Sequence, residues 1–64
     1  MSSEQEIIET IVQRMKDGEA RDYEFHMYWL EDILDCAVDV NDKNEIQKRI
    51  NCIKEAFAIY DNSK

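Results

Sequence analysis

The sequence contains no proline and a single glycine, Gly18, and this shortage of breakers constrains the fold more than any other feature. Proline ends a helix by removing a donor and clashing with the preceding turn, and glycine in a helix interior costs about 1 kcal/mol relative to alanine. The chain therefore has few places to leave a helix: Gly18 itself and the Asn/Asp-rich stretch around Asp39, Asn41 and Asp42. An all-α fold follows, with helices expected over residues 4–17, 20–40 and 42–60 and packed as a three-helix antiparallel bundle in one domain.

The first helix is announced by Ser3, Glu4, Gln5 and Glu6, the spacing at which a serine hydroxyl and a glutamate carboxylate each satisfy a free backbone N–H. Ile7, Ile8, Ile11, Val12 and Met15 then form one stripe on a 3.6-residue period. Gly18 supplies a left-handed stop. The second helix starts between Glu19 and Tyr23, with Asp22 as a suitable cap, and runs to about Val40. In the third, Asp42 and Glu45 have capping-box spacing and Asn41 is an alternative cap. Ile46, Ile50, Ile53, Phe57 and Tyr60 follow at alternating four- and three-residue spacings, a coiled-coil-like seam. The polar residues 61–64 are expected to fray.

Placed at 100° steps, the second helix carries two opposed surfaces. Phe25, Trp29, Leu30, Ile33 and Leu34 lie on one continuous apolar arc with Tyr23, His26, Met27, Cys36, Ala37, Val38 and Val40, and the arc is roughly 220° wide. One neighbouring helix cannot cover it. Those first five residues, with Ile50, Ile53 and Phe57 of the third helix, are the expected core or dimer seam. The remaining surface holds Glu24, Glu31, Asp32, Asp35 and Asp39 around Tyr28. An aromatic ringed by carboxylates is the candidate partner-binding face.

Size bears on the choice between these surfaces. A chain of this length buries only about 60% of the surface exposed when unfolded, so its core is small and a second subunit is a natural supplement. A homodimer joined through the apolar arc is expected.

Charge bears on the partner. The net charge of −7 disfavours direct binding to nucleic acid or to an anionic membrane, because both reward lysine and arginine. A protein with a basic surface is the better match. Eleven acids oppose Arg14, Lys16 and Arg21 in residues 1–40, whereas residues 41–60 hold Lys43, Lys48, Arg49 and Lys54 against three acids. The negative field thus belongs to the first two helices.

Reactive groups are sparse. His26 falls on the apolar arc and reads as a structural residue; were the arc a dimer interface, protonation of His26 at low pH would weaken it. Cys36 and Cys52 read as buried, reduced thiols, too far apart along an antiparallel hairpin to bridge, and neither has zinc-like spacing with His26. Asp39, Asn41 and Lys43 begin like a calcium loop, but Asn44 stands where the glycine belongs and Ile50 where the closing glutamate belongs. No metal or cofactor is expected. Without a nucleophile–base set or a phosphate-binding glycine loop, catalysis is not expected either. The absence of an apolar run long enough for a signal or a membrane span favours a cytosolic protein.

The reading that results is a small regulatory or inhibitory binding protein whose acidic second-helix face docks on a basic protein surface, imitating nucleic acid. The alternative is a helical dimerisation or adaptor module whose apolar arc is the working surface. In length, charge and the frame from Met1 to Lys64, the chain resembles the small acidic accessory proteins of temperate phages and other mobile elements. The resemblance implies inhibition or redirection of a host protein, and no residue roles come with it.

Overall fold

A computed structural model describes residues 3–63, and helices account for nearly all of them. The first helix, α1, spans Glu4–Arg14. The Ser3 hydroxyl accepts the Glu6 amide at 3.3 Å, and Glu4 and Glu6 place negative charge at the positive end of the helix dipole. The α-helical hydrogen bonding then loosens into a π turn over Met15–Glu19.

Gly18 sits in this turn at φ 113°, ψ 8°. Its positive φ interrupts the helix there, as expected from the sequence, but without a loop between the two parts. It bends the chain and lets α2, Ala20–Cys36, continue directly. Nothing lies within 4 Å of where a Cβ at position 18 would stand, so the requirement for glycine is conformational and not one of space. Asp22 accordingly falls inside α2 and caps nothing. Glu19 occupies the N-cap position without a side-chain bond.

The second break also differs from the expected one. Helix α2 ends at Cys36, four residues before Val40, and α3 runs over Val40–Asn62. Ala37 turns extended at ψ 135° while its amide still reaches the Leu34 carbonyl. Asp39 lies in the extended region and caps α3 by accepting the Asn41 amide at 2.8 Å. The side chain of Asp39 competes with the continuing helix for backbone donors, and capping at this position leaves Asn41 and Asp42 inside α3. At the far end α3 does not fray at residues 61 and 62. Helical structure persists through Asn62, and Ser63 closes it, its amide reaching the Ile59 and Tyr60 carbonyls and its hydroxyl that of Tyr60. Lys64 lies outside the described residues.

Helices α1 and α2 are two arms of one bent helix. Both pack on the long α3 and hardly on each other, within extents of 38 × 27 × 16 Å. The arrangement is all-α, as expected, yet more open than a closed three-helix bundle. The core comprises Ile8, Val12 and Met15 of the first arm and its turn, Leu30 of α2, and Ile50, Cys52, Ile53 and Ala56 of α3. Tyr23, Met27, Leu34, Ile46 and Phe57 pack around it, half buried. Leu30, Ile50 and Ile53 thus occupy the core expected of them. Leu34 and Phe57 lie at its edge, Ile33 is half buried in the cleft between α2 and α3, and Phe25 and Trp29 lie outside the core.

Candidate functional site

The direction of α2 against α3 follows from its short connector, residues 37–39. Ala20 and Met27 share a cleft with Lys54, Phe57 and Tyr60, whereas Ile33 and Ala37 share one with Asp42 and Ile46. The two helices are antiparallel, and only the central stripe of the apolar arc of α2 meets α3. The 11 residues of α1 reach the arc only near its start, where Ile7 and Ile11 share a cleft with Tyr23.

One flank of α2 is left uncovered as a result. Phe25 is 65% exposed and Trp29, one turn further on, is 58% exposed. The Trp29 indole is held by the His26 imidazole, whose ring stacks on it at a centroid distance of 5.7 Å and an interplanar angle of 27°. Cys36, expected to be buried, is also exposed, whereas Cys52 is buried; the thiol two turns beyond Trp29 lies on the same uncovered flank. Burial, reinforced by the carboxylates of Glu4 and Glu55, pushes the Cys52 thiol above its usual range. Val38 and Val40, placed on the arc by periodicity, lie beyond α2. Val38 projects from the connector at 92% exposure and Val40 opens α3.

Two grooves border this flank. The first, of about 650 Å³, runs between the end of α2 and the start of α3. Ile33, Ala37 and Ile46 line it half buried, and Trp29 and Cys36 stand exposed at its side. The second, of about 450 Å³, has walls of Ile7 and Ile11 from α1 and of Tyr23 and His26 from α2, with Cys52 and Ile53 of α3 beneath. Arg49 lines both, so the grooves adjoin along α3.

The acidic surface expected on α2 runs between two clefts. Glu24, Tyr28 and Asp35 remain exposed, and Glu24 and Tyr28 border the cleft that also contains Arg21 and Lys54. Glu31 points toward Lys54 at 3.9 Å. Asp32 lies on the other side and lines the first groove with Trp29. Asp39 has left the helix to cap α3. Glu24, Tyr28, Glu31, Asp32 and Asp35 thus share a strip about 100° wide along α2 with a cleft on either side of it, and Asp39 alone has left that strip. Sequence reasoning missed Asp42, Glu45 and Ile46, which α3 brings beside Asp32 and Ile33. The register of the hairpin could have found them had the turn been centred on Val38.

Among the described residues no His/Cys/Asp/Glu group is arranged to hold a metal ion, and no helix is long and apolar enough to cross a membrane. No protein-family model matches the chain, and no curated protein or solved structure matches it either.

Proposed function

We propose that the chain is a small non-catalytic interaction protein, a regulator or adaptor, that works through the aromatic flank of α2 and the groove beside it. The observation that carries this reading is the pair Phe25 and Trp29, adjacent on one helix and both more than half exposed. Water disfavours apolar area by about 25 cal/mol per Å². Two neighbouring aromatics left in solvent are the kind of side chain that anchors the centre of a protein interface. A second copy of the chain and a different protein would both find their seat here, since both would bury the same rings.

Imitation of nucleic acid would need the carboxylates of α2 to act as one surface. Glu31 is directed at Lys54 and Asp39 is engaged as a cap, and these prior engagements are the reason for placing the function on the aromatic flank. The acids keep a role in steering a basic partner, because attraction at a distance does not require contact.

The test uses three baits in native lysate: the wild-type chain, the double variant Phe25→Ser/Trp29→Ser, and the charge reversal Glu24→Lys/Asp35→Lys, with helicity checked by circular dichroism. Loss of bound protein, or of self-association in sedimentation, in the aromatic variant alone is the expected result. Loss in the charge reversal alone would move the function to the acidic surface.

A further inference from the structure

We infer that the groove between the end of α2 and the start of α3 receives a basic amphipathic helix from a second protein. This inference rests on the proposal that the aromatic flank is the working surface, and adds to it the chemistry of the occupant.

The groove joins two properties. Its half-buried lining is aliphatic, from Ile33, Ala37 and Ile46, and Trp29 extends that apolar surface outward. Its rim is acidic: Asp32 comes from α2, and Asp42 and Glu45 come from the first turns of α3, all three exposed. None of these carboxylates is in an ion pair among the described residues. Arg49 is the one cation among the lining residues, leaving an excess of two negative charges on the rim. A groove between two antiparallel helices is shaped for a third helix, whose apolar residues recur at i, i+3, i+4 and i+7. From Trp29 to Cys36 the α2 wall is about two turns long, so an occupant of two to three turns fills it. Lysine or arginine beside its apolar stripe would meet Asp32, Asp42 and Glu45.

Charge also separates this occupant from a second copy. An isologous dimer through this groove would bring two copies of the same net-acidic rim together, between chains of net charge −7 each. A basic helix meets the opposite field.

The experiment uses the full chain and three fluorescein-labelled helical peptides of about five turns. They share one leucine/phenylalanine stripe, and the flanking positions carry lysine and arginine, glutamine, or glutamate. Anisotropy titrations at low and high salt give affinities, and the emission of Trp29, the only tryptophan, reports occupancy of the groove. The basic peptide is expected to bind at least tenfold tighter than the glutamine peptide, to weaken in salt and to shift Trp29 emission. In the isosteric variants Asp32→Asn and Glu45→Gln, which circular dichroism checks for fold, this preference should shrink several-fold; Glu9→Gln on α1 should leave it unchanged. Equal affinity for the basic and glutamine peptides would overturn the basic occupant while leaving the aromatic surface standing. Failure of every peptide to bind would overturn the inference, and a Phe25→Ser/Trp29→Ser bait that still captures the same protein from lysate would overturn the aromatic surface. Self-association that blocks the peptides and is lost in Trp29→Ala would overturn the inference in favour of a second copy.

Discussion

The carboxylate of Asp39 accepts the Asn41 amide at 2.8 Å, and this bond sets where α2 and α3 separate. An N-cap bond of this kind contributes about 1 kcal/mol. Asp39→Ala should therefore lower the urea midpoint by an amount equivalent to about 1 kcal/mol, and Asp39→Asn, which keeps an acceptor, should lose much less. Chemical denaturation followed by circular dichroism reads both. Equal stability of Asp39→Ala and wild type would mean that Asp42 or Asn41 takes over as the cap.

At Gly18 the backbone stands at φ 113°, in a region that side chains with a Cβ rarely occupy. Because a Cβ would meet no neighbour, Gly18→Ala isolates the backbone effect. The expected loss is about 1–2 kcal/mol, with a smaller loss for Gly18→Asn, since asparagine tolerates positive φ better. Thermal unfolding of the two variants beside wild type measures the difference.

The two cysteines should separate cleanly by reactivity. Cys36 is exposed and Cys52 buried with a raised pKa, and the thiolate is the reacting form. Iodoacetamide at neutral pH should modify Cys36 first, read by mass spectrometry, and Cys52 only on unfolding. The same shift ties stability to alkaline pH. The folded state holds the Cys52 proton more tightly than the unfolded chain does, so stability is unaffected below the unfolded thiol pKa and falls as pH rises from there through the folded value. Wild type should lose more stability between pH 8 and pH 10 than Cys52→Ala loses over the same range.

The helical fold was legible because the pattern is local: the missing proline, the stripe of Ile8, Val12 and Met15 and the seam of Ile50 and Ile53 each follow from spacing along one helix. The cap at Asp39 was not, because Asp39, Asn41 and Asp42 are all good caps by residue type, and residue type alone does not choose among them. That local choice had a long reach. Moving the turn from near Asn41 to near Val38 shifts every pairing across the hairpin by about six residues. This hid the meeting of Asp32 with Asp42 and Glu45. The exposure of Phe25 and Trp29 was foreshadowed by an arc too wide for one neighbour. What periodicity does not carry is which third of such an arc stays uncovered, since that depends on where α1 lies.

Because both arms rest on α3, assembly of the chain has a natural order. A three-residue connector brings α2 to α3 at little cost in loop-closure entropy, whereas Ile8 and Val12 reach Ile50 and Ile53 only after the whole of α2 has been put in place. The hairpin is therefore expected to form first and α1 to dock on it. Amides of α1 should then exchange with solvent deuterium through openings that leave α2 and α3 protected. On this order the aromatic flank and the groove beside it belong to the part of the molecule expected to close first.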